Sequence, residues 1–253
     1  MTAPTPGAPN WVDLATADLE DATRFYTGLF GWTARVDGDE YGGYTTFHLN
    51  GRPAAGAGPL FGEGQATAWS TYIATTDADA IAARVEAAGG KVLVAPFDVM
   101  EQGRMAAFLD QAGAPFSVWE PGTMAGAEVF DVPGALTWNE LATRDVEGSK
   151  AFYGTVFGWT ARDAEMAGRP YVVWELDGAT IAGMQPMVGG AWPDDLPPHW
   201  MIYFAVGHCD ESADLARSLG GRIVQPPTSF PMGRYAVLED PQGGMFSVLE
   251  GNR

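Results

Sequence analysis

Two carboxylates, Asp13 and Glu140, stand 127 residues apart in matching stretches, WVDLAT and WNELAT. His48 and Glu175 recur at the same offset. Such residues in a dry pocket can work as an acid–base pair, because burial and neighbours drive their pKa values apart. They serve equally well as a hydrogen-bonded polar pair that orients strands, and the sequence leaves both readings open. Trp11 and Trp138 stand two residues ahead of the carboxylates, so on a strand ring and acid share one face. A flat indole beside an acid suits contact with a planar ligand, and Tyr44 and Tyr171 add aromatic surface. Simple core filling is the competing reading. Arg104 and Arg234 each follow a glycine in a repeated loop. Either could hold a carboxylate or enolate oxygen through two hydrogen bonds, or close a salt bridge to Asp110 or Asp240.

Other residues have plainer readings. Trp32 and Trp159 end helices and read as packing. His208 aligns with Asp77 in a helix-capping region, and His199 follows Pro197-Pro198 where it could line a pocket rim. Cys209 is the single cysteine, so no internal disulfide forms; a packed thiol in a reducing cytoplasm is expected. There is no Ser/His/Asp order, no phosphate-cradling glycine loop and no CxxC. With 32 Asp and Glu against 14 Lys and Arg, the net charge of −18 repels a nucleic-acid backbone. No apolar run is long enough for a membrane span. MTAPTPGAPN reads as a loose tail, not a signal peptide.

The elements that must position these residues come in duplicate. Residues 11–35 return as 138–162 with more than half of the positions identical. The echo continues through Tyr44/Tyr171 and Gly56/Gly183, then drifts to offsets of 130–131 at Trp69/Trp200, Gly103-Arg104/Gly233-Arg234 and Phe116/Phe246. A repeat spanning nearly the whole chain is a domain duplication. It divides the 253 residues into domains at 1–122 and 134–253 with a linker at 123–133. Each half reads as a strand, a helix and further strands, and then that order again. Trp11–Thr16 alternates as a half-buried strand. Asp18 caps a helix whose apolar face carries Ala22, Tyr26 and Phe30, and Gly31 ends it. Strands are predicted at 44–49, 53–58, 69–75, 91–95, 104–109 and 115–119, with a second helix over 77–88. GRPAAGAGPLFGEG (51–64) reads as strand edge and loop.

The strand–Asp–helix run ending in FY…FGW resembles the opening unit of vicinal-oxygen-chelate (glyoxalase/bleomycin-resistance/extradiol dioxygenase) proteins. So does the later GR(M/Y)A…D-(Q/P)-x-G-x-x-F-S turn. The likeness covers both halves and looks closest to a two-domain actinobacterial glyoxalase-like branch. It implies an α+β fold of four βαβββ units forming two curved mixed sheets, each pair an open eight-stranded cup with strand-one residues facing in. It also implies four recurrent metal-ligand slots. Here they hold Trp11 and Trp138, His48 and Glu175, Ser70 and Met201, and Ser117 and Ser247. At most one good donor in four remains per half, so no metal and no other cofactor is expected. The expected activity is that of a metal-independent enzyme, a glyoxalase-like lyase or isomerase or of hydroxylase type. It would serve secondary metabolism or detoxification, with Asp13, His48, Glu140 and Glu175 catalytic. The others, Trp11, Trp138, Tyr44, Tyr171, Arg104 and Arg234, would contact a planar or carbonyl-bearing small-molecule ligand. The alternatives are a non-catalytic protein that sequesters a drug or metabolite, to which the acidic charge adds attraction for a cation, and a metal-dependent lyase or dioxygenase. A monomer or homodimer is expected.

Overall fold

One strand–helix–three-strand run is repeated four times along the chain, and each repeat is bounded by residues suited to the job. The computed structural model describes residues 5–38, 42–60, 62, 64–189 and 192–252. The first half runs β1 (Pro9–Thr16), α1 (Leu19–Phe30), β2 (Thr33–Val36), β3 (Thr45–Leu49) and β4 (Arg52–Pro59). It continues with β5 (Ala68–Ala74), α2 (Ala78–Ala87), β6 (Lys91–Val99), β7 (Gly103–Leu109) and β8 (Pro115–Pro121). The second half runs β9 (Leu136–Thr143), α3 (Val146–Phe157), β10 (Thr160–Met166), β11 (Arg169–Leu176) and β12 (Ala179–Pro186). Then come β13 (His199–Ala205), α4 (Cys209–Ser218), β14 (Arg222–Phe230), β15 (Gly233–Glu239) and β16 (Met245–Gly251).

Helix ends follow the expected chemistry. Asp18 and Asp145 accept from the backbone N–H of Asp21 and Gly148, and Gly31 and Gly158 close the helices in the left-handed conformation at φ 68° and 75°. Asp77 caps α2 in the same way. His208 occupies the N-cap of α4 without a side-chain capping bond and is exposed.

Each half forms one eight-stranded mixed sheet, in the orders β2-β3-β4-β1-β5-β8-β7-β6 and β10-β11-β12-β9-β13-β16-β15-β14. The first and fourth strands of a run pair in parallel, β1 with β4 and β9 with β12. Two strands that the βαβββ pattern implies have no predicted range, β2 and β10. Both are largely exposed sheet edges, so no alternation of apolar and polar residues betrays them. The expected loose tail is also corrected: Gly7 N–H donates to Ala74 O at 2.7 Å, and the Trp159 indole donates to Gly7 O at 2.6 Å. Residues 1–4 of that tail, and 61 and 63 of the predicted 51–64 loop, lie outside the described residues.

Contacts group the chain into two units that each draw on both halves. The first comprises Met1–Trp11, Thr71–Gly126 and Trp138–Met201; the second comprises Val12–Ser70, Ala127–Thr137 and Ile202–Arg253. In the first unit, Phe116, Phe152, Phe157, Trp159 and Trp174 surround the fully buried Tyr153. In the second, Phe25, Phe30, Trp32, Phe47 and Phe246 surround Tyr26. Each fully buried aromatic contributes about 1.5–3 kcal/mol relative to exposure.

A buried polar chain runs through each core. In the first unit the Trp200 indole donates to Tyr153 Oη (2.9 Å), which donates to Asp110 Oδ2 (3.1 Å). In the second unit Trp69 donates to Tyr26 (2.8 Å), and Tyr26 donates to Asp240 (2.8 Å). Burial, and then the adjacent aspartate charge, hold both phenols well above their ordinary pKa. The aspartates anchor turns: Asp110 accepts from Ala112 and Ala114 N–H, and Asp240 from Gln242 and Gly244 N–H.

Candidate functional site

Two strand-borne carboxylates are each met by a tyrosine from thirty-one residues onward. In the first unit Glu140 lies on β9 and Tyr171 on β11. Tyr171 Oη donates to Glu140 Oε2 at 2.7 Å and accepts from the Trp138 indole at 3.0 Å. In the second unit Tyr44 Oη donates to Asp13 Oδ2 at 3.2 Å. The parallel register sets Glu140 opposite Gly183 and Asp13 opposite Gly56. Alternation places Trp138 and Glu140 on one face of β9, and their shared contact with Tyr171 agrees with that.

The surroundings of the two pairs differ. Tyr171 is buried and Tyr44 half-buried, whereas Trp11 is 2 % exposed and Trp138 is half-buried. Burial first, and then the Glu140 charge, push the Tyr171 phenol far above its usual pKa. The phenol therefore keeps its proton and acts as a hydrogen-bond donor. The carboxylate is the group that can take a proton, with one of its oxygens fixed by the phenol.

The other expected residues fall into place separately. His48 follows a register shift between Phe47 and His48 on β3, and Glu175 follows one between Trp174 and Glu175 on β11. His48 Nδ1 lies 3.2 Å from Thr46 O. Glu175 accepts from Arg162 Nε at 2.7 Å. Arg104 and Arg234 do form salt bridges, but the expected partners are corrected. Arg104 binds Asp79 (3.0 Å) and Asp98 (2.8 Å), and Arg234 binds Asp210 (2.6 Å), because the turn aspartates are held by tyrosines and backbone amides. His199 Nδ1 lies 2.9 Å from Pro197 O, and burial lowers its pKa. The Cys209 thiol is buried and pushed up to about 11 by that burial, so it is protonated and unreactive.

A divalent metal needs three or four convergent donors. Among the described residues, no group of three or more His, Cys, Asp or Glu side chains is placed to hold one. The Trp138 indole has only an N–H to offer, and Tyr171 takes it. Met201 is buried, and the buried Ser247 hydroxyl has no partner among the described residues, but one neutral serine is a weak ligand. The side chains at these positions do not fit the metal of the oxygen-chelating sites.

Sequence reasoning missed the tyrosine–carboxylate pairing, although both members were candidates. The signal was there: the interval from acid to tyrosine is the same in both halves.

The family model of the Glyoxalase/Bleomycin resistance protein/Dioxygenase superfamily matches residues 8–118 and again 135–248. The chain is similar to the anthracycline biosynthesis protein DnrV of Streptomyces peucetius, 43% identical over 266 residues, covering 99% of this chain and 95% of the relative. It is also similar to the CFP32 protein of Mycobacterium bovis, 40% identical over 252 residues, covering 96% and 95%. Among solved structures, the Mn(II)-bound glyoxalase of Novosphingobium aromaticivorans matches with a TM-score of 0.65 at 17% identity, covering 97% of this chain and 82% of that one. The 2,3-dioxygenase LapB of Pseudomonas sp. KL28 matches with 0.67 at 14%, covering 100% and 94%. At such identities the solved structures speak for the fold alone.

Proposed function

This chain belongs to the Glyoxalase/Bleomycin resistance protein/Dioxygenase superfamily, and on that premise we propose that it is a metal-independent enzyme of secondary metabolism acting on a planar, carbonyl-bearing small molecule. The observation that carries the reading is the Trp138–Tyr171–Glu140 chain, which runs from β9 to β11 and back and is half-buried at both ends. The indole supplies flat contact area, the carboxylate takes a proton, and the phenol fixes the carboxylate. Asp13 with Tyr44 forms the corresponding pair in the first half, and His48 and Glu175 stand as further acid–base candidates. A relative named for anthracycline biosynthesis supports a fused-ring polyketide as the compound class to test. The duplicated units we propose are residues 1–122 and 134–253, joined by 123–133, and the two family matches support that division. No described helix is long and apolar enough to cross a membrane.

The test is a fluorescence titration with an anthracycline-type polyketide on the parent, Trp11→Ala and Trp138→Ala proteins, each checked for intact folding. Losing a ring contact of about 1–3 kcal/mol weakens binding about tenfold or more. Because Trp138 is the less buried ring, Trp138→Ala is expected to show the larger loss. Equal affinity in all three proteins would remove this strand face from consideration. Product analysis then separates turnover from sequestration: an unchanged compound recovered from the complex supports the sequestering alternative.

A further inference from the structure

We infer that Gly56 and Gly183 are positioning residues of the two candidate sites: the missing side chain lets a tyrosine cross β4 or β12 and hold the carboxylate on the strand beyond. This rests on the reading that Asp13 and Glu140 are site carboxylates. Tyr171 precedes Val172, which pairs with Met184, so its ring must travel diagonally to reach the level of Gly183. Gly183 in turn stands directly opposite Glu140. The ring therefore passes over Gly183 on its way to Glu140. A β-carbon built there would overlap Tyr171 Oη, lie 2.6 Å from Cζ and lie 2.9 Å from the Trp138 indole nitrogen. At Gly56 it would overlap Tyr44 Oη and lie 2.5 Å from Cζ.

The backbone does not demand glycine at either place, since neither residue is among those with positive φ. What excludes a side chain is the ring, and the ring is not a loose end: Tyr171 is bound to Glu140 and Trp138 at once. The arrangement recurs in both halves although the acid differs, Asp13 in one and Glu140 in the other. The glycine thus acts through the tyrosine: it sets the direction in which the carboxylate is held and keeps the phenol O–H donating to one of its oxygens.

The test uses the full chain labelled with [ζ-13C]tyrosine, whose eight signals are assigned by single Tyr→Phe changes. In Gly183→Ala the Tyr171 signal should move, and its raised titration should fall toward ~10, the ordinary phenol value. The Trp138 indole proton should shift with it. An unmoved Tyr171 signal with an unmoved titration would overturn the inference. A cycle in the first half gives the same decision where Gly183→Ala proves too unstable to study. Gly56→Ala should lower the urea midpoint in the parent and leave it unchanged in a Tyr44→Ala background. Equal losses in both backgrounds would show that the glycine does not act through the ring. Neither measurement uses a ligand, so failure here and failure of the polyketide titration are separate results.

Discussion

The first unit contains the same hydrogen-bond chain twice, once in its core and once on a sheet face. Trp200–Tyr153–Asp110 and Trp138–Tyr171–Glu140 share donor order, from indole to phenol to carboxylate, although the acid differs and its bond is shorter in the second, 2.7 Å against 3.1 Å. They differ in what lies at the ends. Asp110 closes a turn through two backbone amides, and both Tyr153 and Trp200 are buried. Glu140 and Trp138 sit mid-strand and are half-buried. A tryptophan–tyrosine–carboxylate chain is therefore no sign of a site by composition. Access to solvent at its ends separates a fastening from a group that can meet a ligand.

The largest test of that contrast is a matched pair of substitutions. Tyr153→Phe leaves a buried indole N–H and a buried carboxylate without their partner and should cost on the order of 2–4 kcal/mol in urea unfolding. Tyr171→Phe, whose neighbours can recruit water, should cost about 1 kcal/mol, with its main effect on ligand binding. Equal losses would break the comparison.

A pH series sharpens it. Burial raises the Asp110 pKa in the folded protein, outweighing the hydrogen bonds that lower it. The protonated form is thus favoured by folding. The stability it adds is present below the unfolded value of ~3.9 and is lost as pH rises through the raised folded value. Against Asp110→Asn, the parent should lose ground in urea midpoint as pH climbs through that window. A parent that gains ground instead would mean that the turn amides outweigh burial. The smallest effect belongs to the surface: Arg104 binds two largely exposed aspartates, and Arg104→Gln should leave the melting temperature within error while Tyr153→Phe does not.

Much of this was legible in the residues. The exact return of the FY…FGW run exposed the duplication, and capping aspartates with terminal glycines located α1 and α3. The acid and aromatic candidates were visible because they recur together. Which helix packs against which was not, since an amphipathic face shows that a partner exists without naming it. The role of Tyr26 and Tyr153 stayed hidden for that reason: their aspartates lie 214 residues later and 43 residues earlier in the chain. The salt-bridge partners of Arg104 were misplaced because Asp110 already had a claimant that sequence spacing does not reveal. Gly56 and Gly183 could be read only once the tyrosine above them was placed.

Each core takes its apolar residues from both halves: Phe25 and Tyr26 with Phe204 and Phe246 in one, Phe108 and Phe116 with Phe152 and Tyr153 in the other. Mass action makes this a statement about ancestry. A single-copy forerunner of residues 1–122 would carry two half-cores and could complete them only from a second molecule, so its folding would depend on its own concentration. Joining two copies through a short tether turns that bimolecular step into an intramolecular one, at an effective concentration in the millimolar range for a short flexible linker. Within one chain the two copies need not be identical, and they are not: Asp13 stands where Glu140 recurs and His48 where Glu175 does, around cores that each already hold residues of both copies.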